Sequence, residues 1–183
     1  MMKVVLIGGE PATGKSTLVK QVISGLPNDS VQFKHGTVCG YRWPTAKVTL
    51  LGIYNEGDQF PGTDRLSMSV QQQVFNYISA SADTDSKNDV LLIEGDRLFN
   101  MKFIDGCKAQ CKVVVFVLTT PEDVLSRRHV IRGDSQGGPF LKGRKTKVDN
   151  IVKTLGDEVR VRQNRDHGDL ANLILEVSRE LSA

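Results

Sequence analysis

The segment Gly9-Glu10-Pro11-Ala12-Thr13-Gly14-Lys15-Ser16 follows the apolar run Lys3 to Ile7 directly, and Leu18, Val19, Val22 and Ile23 then recur at helical spacing from Lys15 to Ser24. Strand, glycine loop and helix in that order match G-x-x-x-x-G-K-[ST] in its required context. The loop constrains the fold because it must sit at the carboxyl end of a strand with a helix amino terminus behind it. Its chemistry is equally constrained. Glycines let successive backbone N–H groups turn inward where a Cβ would obstruct them, and the helix points its positive end at the same spot. The ligand such a loop holds is the polyphosphate of a nucleoside triphosphate, with ATP expected. Residues Gly9, Glu10, Pro11, Ala12, Thr13, Gly14, Lys15, Ser16 and Thr17 form the expected cradle. Within it the Lys15 ammonium reaches the β- and γ-phosphates, and the Ser16 hydroxyl ligates Mg²⁺.

The rest of the chain supports an α/β architecture. "DVLLI" (Asp89 to Ile93) and "KVVVFVL" (Lys112 to Leu118) are continuous apolar strands separated by helical patterns, which predicts a parallel sheet covered on both faces. The expected fold is therefore a three-layer P-loop sandwich, a single domain over 1–183, with a β-hairpin insert at about 31–63 and a basic lid at about 127–147. "FPGTDRLSMSVQQQVFNYISA" predicts a helix opened around Thr63 or Asp64, and "TTPED" another, capped by Thr120 with Pro121 in its first turn. Ser135 to Lys145 reads as a glycine-rich basic loop, followed by a helix from about Val148. The tail, Leu170 to Leu181, has helical spacing, although "NLILEV" also fits a strand.

Composition excludes several classes. With 39% hydrophobic and 25% charged residues, and no apolar run near bilayer length, a membrane protein is not expected. The first residues meet glycines and an acid too early for a secretory segment, so a cytoplasmic protein is expected. Three cysteines without paired spacing predict reduced thiols rather than a disulfide framework or zinc site, and the three histidines show no metal-ligand spacing. The net charge of +3 does not by itself imply a nucleic-acid partner. Nothing in the sequence fixes the oligomeric state.

The loop together with "LLIEGDRLF" and "SRRHVIRGD" resembles small P-loop kinases of the nucleotide-kinase-like group, over most of the chain. "FPGTDRLSMSVQ" followed by "EGDRLF" is similar to phage-encoded members, which include kinases that phosphorylate 5-hydroxymethyluracil in DNA. The resemblance implies an ATP-dependent transferase acting on a hydroxyl, with Mg²⁺, DNA containing a modified base as partner, and a host cytoplasm as location. A nucleoside or nucleoside-monophosphate kinase is the alternative. A GTPase-type switch is a third reading, since "TKVD" (Thr146 to Asp149) distantly matches a guanine-reading motif. It lacks the apolar strand that should precede it.

Triphosphate chemistry calls for a second acid at the end of a neighbouring strand. Glu94 and Asp96 in "VLLIEGD" both qualify for the metal, although related kinases usually carry aspartate where Glu94 stands. Asp64 is a candidate base toward a hydroxyl and equally a candidate helix cap, and Arg65 beside it is a candidate for the acceptor. Arg128 and Arg132 lie four apart on one helix face, leading into the basic lid. Tyr41, Arg42, Trp43, Tyr54 and Phe60 concentrate aromatics near an arginine, which suits a stacked base, with Arg42 and Trp43 as acceptor contacts. Cross-strand packing is the competing reading.

Overall fold

The computed structural model describes residues 1–54, 61–81, 89–133 and 137–182, without the side chain of Arg132. Phe60, one of the aromatics named above, lies outside the described residues. Seven strands form one sheet in the order β2-β3-β4-β5-β1-β6-β7. Their ranges are β1 Lys3–Gly9, β2 Val31–His35, β3 Val38–Trp43, β4 Val48–Leu51, β5 Val90–Glu94, β6 Lys112–Thr119 and β7 Val159–Gln163. From β4 to β7 all neighbours run parallel, while β2, β3 and β4 form an antiparallel meander. The α/β P-loop architecture expected from the sequence is present.

The strand period of two sorts β1 between the faces. Val4 and Leu6 join a core with α2 (Val70–Ser81), α3 (Met101–Lys108) and α5 (Gly138–Leu155), whereas Val5 and Ile7 join one with α1 (Lys15–Ser24) and α6 (His167–Ser182). Three layers result. The remaining helix, α4 (Glu122–Arg132), contributes no residue to either buried core and leaves Val130 and Ile131 exposed. Among the described residues no helix is long and apolar enough to cross a membrane.

Four local expectations need correction. The hairpin gains a third strand, because "VTLL" is buried at all four positions and pairs with β5 as a parallel neighbour. The helix expected from Thr63 begins at Val70; a 3-10 turn, Thr63–Arg65, precedes it, and Leu66 closes that turn in extended conformation (ψ 164°). The basic loop is largely helix, since α5 starts at Gly138 with Pro139 in its first turn, where a missing N–H costs nothing. "NLILEV" is helical, with Leu173, Val177 and Leu181 buried at intervals of four.

Candidate active site

All the chemistry gathers at the carboxyl ends of β1 and β5, which are adjacent and in register at Ile7 and Glu94. After β1 the chain turns through Gly9 (φ 139°), Ala12 (φ 61°) and Gly14 (φ 91°) into α1. A side chain at Gly9 would overlap the Leu118 carbonyl of β6, so the loop depends on glycine there for both space and conformation. Gly14 occupies the cap of α1 with no side-chain cap, leaving the first helical N–H groups for a ligand. The Lys15 ammonium folds back over the loop and donates to the carbonyls of Gly9 (3.0 Å) and Glu10 (2.7 Å).

Glu94 ends β5 at 1% exposure and accepts hydrogen bonds from Ser16 Oγ (3.1 Å) and the Tyr54 hydroxyl (3.2 Å). Burial pushes its carboxyl up to about 7, against the opposing pull of the Lys15 ammonium and the Ser16 hydroxyl. Burial and the same carboxylate push the Tyr54 phenol well above its ordinary value. A hydroxyl touching a carboxylate is a pair of hard oxygens, and Mg²⁺ favours one or two such ligands beside phosphates and water. Ser16 and Glu94 fit that ion. Asp96 lies nearby but is engaged otherwise: its carboxylate pairs with Lys147 (2.9 Å) and Arg144 of α5, while Lys145 reaches Glu10 of the loop (3.8 Å). Helix α5 thus straddles the loop and the end of β5 through three cations.

Asp64 stands in the 3-10 turn, and its Oδ1 accepts from the N–H groups of Asp96 (3.0 Å) and Arg97 (2.9 Å). It does cap backbone, though of the β5–α3 connection rather than of its own helix. Arg97 answers by donating to the Asp64 carbonyl (2.9 Å) and the Met68 sulfur.

Two clefts open around this centre. One, of about 530 Å³, runs from Ala12, Gly14 and Lys20 to Arg128, Asn164 and His167. The other, of about 620 Å³, is walled by Asp64, Glu94, Arg97, Phe140, Arg144 and Lys147. Lys15, Ser16 and Pro61 line both. Arg128 hangs over the first cleft from Thr120 Oγ1 (3.3 Å) and the Arg165 carbonyl (3.2 Å). Arg132 closes the last turn of α4.

The expected acceptor contacts do not gather here. Trp43 pairs with Val48, which is level with Val90 and hence with Lys3, at the opposite end of the strands from Glu94. Four residues of strand separate the two levels, about 13 Å. Trp43 is 7% exposed in the core beside α1 and α6, and Arg42 pairs with buried Asp89 (2.8 Å). Cross-strand packing and an ion pair explain both residues. Arg65 is exposed and lines neither cleft. "TKVD" lies inside α5, not after a strand. Conversely, Asn164, Arg165 and His167 line the first cleft and Arg97, Met68 and Phe140 the second, although no sequence pattern singles them out as site residues.

The structure resembles that of a gluconokinase from Sinorhizobium meliloti 1021, with a TM-score of 0.53, 12% identity and coverage of 98% of this chain and 91% of that one. A shikimate kinase from Bacteroides thetaiotaomicron gives a TM-score of 0.41 at 16% identity, covering 98% of each chain. No curated protein sequence matches. The sequence model described as P-loop Nucleotide Kinase3 matches residues 1–167, and the chain belongs to that family.

Proposed function

We propose that the protein transfers the γ-phosphate of ATP to a hydroxyl on an acceptor held in the second cleft. The observation that carries this reading is that the two clefts share Lys15 and Ser16. A donor in one and an acceptor in the other would meet at the ammonium and the metal ligands, the arrangement that phosphoryl transfer needs. In this reading the loop N–H groups and Lys15 hold the donor phosphates. Ser16 and Glu94 hold Mg²⁺, which neutralises phosphate charge. Arg128, with Arg132 on the same helix face, supplies further positive charge as α4 closes. Asp64, fixed by two backbone N–H groups, accepts the hydroxyl proton as the acceptor oxygen bonds to phosphorus and the bond to the leaving diphosphate breaks.

The finer acceptor is 5-hydroxymethyluracil in phage DNA. Its support is the resemblance carried by "FPGTDRLSMSVQ" and "EGDRLF", together with Arg97, Arg144 and Lys147 in the cleft wall, since a nucleic-acid strand brings phosphates to such cations. The same cations favour a second reading, a nucleoside monophosphate as acceptor. Incubation with γ-labelled ATP and a panel of nucleosides, monophosphates and oligonucleotides with and without hydroxymethyluracil separates them. Mass spectrometry should find one phosphate added to the modified oligonucleotide. Label on free nucleotides alone would refute the DNA acceptor, and label nowhere would refute the transferase reading.

A further inference from the structure

Asn164 follows the edge strand β7 and has no place in the loop motif, yet it is only 4% exposed. Its backbone N–H donates to Thr119 (2.9 Å) and its carbonyl accepts from Thr120 Oγ1 (3.2 Å), so the residue is bolted to the end of β6. From that platform its side-chain amide donates to the Thr13 carbonyl (2.8 Å), reaching into the phosphate loop from 151 residues away. Thr13 is itself buried, and its hydroxyl is spent on the Glu10 carbonyl (2.8 Å). On either side of it Ala12 and Gly14 have positive φ, so this is the part of the loop where the main chain is least held by ordinary backbone preference. A side chain at Gly14 would overlap the Asn164 amide, so the motif glycine also makes room for this contact.

The peptide between Thr13 and Gly14 is planar and trans, so its C=O and N–H point in opposite directions. Holding the carbonyl against Asn164 therefore sends the Gly14 N–H the other way, away from the β6–β7 platform. We propose that Asn164 is a positioning residue that fixes the 13–14 peptide plane and so presents the Gly14 N–H to the phosphates of the bound nucleotide. The inference rests on the reading of residues 9–16 as a phosphate cradle. It adds a residue that sets the cradle's orientation without touching the reacting atoms. Through Thr120, which also receives a hydrogen bond from Arg128, the same residue ties the cradle to the root of α4.

Asn164→Leu keeps the approximate shape and removes the donor without adding charge; Asn164→Ala removes both. Each variant is measured by calorimetry for ATP and for tripolyphosphate with Mg²⁺, by competition for adenosine, and by thermal melting without ligand. Loss of one hydrogen bond to a charged group predicts affinities for ATP and tripolyphosphate weakened about tenfold to a hundredfold, while adenosine stays within about twofold. A purely structural role would lower the melting temperature and leave tripolyphosphate affinity of the folded protein unchanged, and that result would overturn the proposal. So would equal weakening of ATP and adenosine, which would make Asn164 a wall of the base cleft. Either folded variant suffices, since each tests the donor independently. A wild-type protein that binds neither ATP nor tripolyphosphate would refute the nucleotide reading itself, and the positioning role with it.

Discussion

Replacing Glu94 with glutamine tests the electrostatics of the centre through stability as well as activity. The carboxyl has an ordinary value of 4.5 and is held at about 7 in the folded protein, chiefly by burial. The folded state therefore binds the proton more tightly than the unfolded one. Between pH 4.5 and 7 it carries more protons, and stability falls as pH rises through that window. A rise from 4.5 to about 7 corresponds to a loss of about 3 kcal/mol, complete above pH 7 and absent below 4.5. Glutamine resembles the protonated acid in shape and has no charge to desolvate. Free of nucleotide and metal, Glu94→Gln should match the wild type near pH 4.5 and exceed it by about 2–3 kcal/mol at pH 8, which is about 4–12 °C in melting temperature for a chain of this size. Paired urea or thermal melts from pH 4.5 to 8.5, in EDTA, supply the measurement. Added Mg²⁺ and ATP should reverse the order at pH 8, because the wild type gains binding energy that the amide variant lacks. A wild-type-minus-variant difference that stays flat across the pH range would refute the argument that burial at the metal position is what raises this carboxyl.

The base reading predicts that Asp64→Asn lowers kcat by about 10²–10⁴-fold with KM for ATP unchanged, since proton acceptance is lost while an amide oxygen still accepts from the Asp96 and Arg97 N–H groups. Turnover within tenfold of wild type would reduce Asp64 to a cap. Gly8→Ala places a methyl inside the buried Phe99 ring and should cost about 1–3 kcal/mol by overpacking, read as a lower urea midpoint at unchanged slope. An unchanged midpoint would mean that Phe99 is free to move, contrary to its position in the core.

The donor half of the site was legible because it is local. Eight consecutive residues carry the strand exit, the turn and the helix start, and the physical demands on a phosphate loop fall on those same residues. Glu94 was legible for a related reason, as the first acid beyond a continuous apolar strand. The second cleft, where the acceptor is proposed to sit, draws on Pro61, Asp64 and Met68, on Glu94, Asp96 and Arg97, and on Phe140, Arg144 and Lys147, which only the fold brings together. In sequence, aromatic residues beside an arginine looked like a place for a base. Which end of a strand a residue occupies depends on register, and register put Trp43 level with Lys3, far from Glu94. The basic stretch after Gly137 reads as loop because glycine and charge favour one, whereas Pro139 in the first turn suits a helix whose cations close on Asp96 and Glu10. β7 was missed because "VRVRQ" shows just two apolar residues, and as an edge strand it buries only Val159. Asn164 follows from that omission. A single amide after an unrecognised strand has no pattern to betray it, and its purpose appears only when the sheet order sets β7 beside β6 and β6 beside the loop-bearing β1.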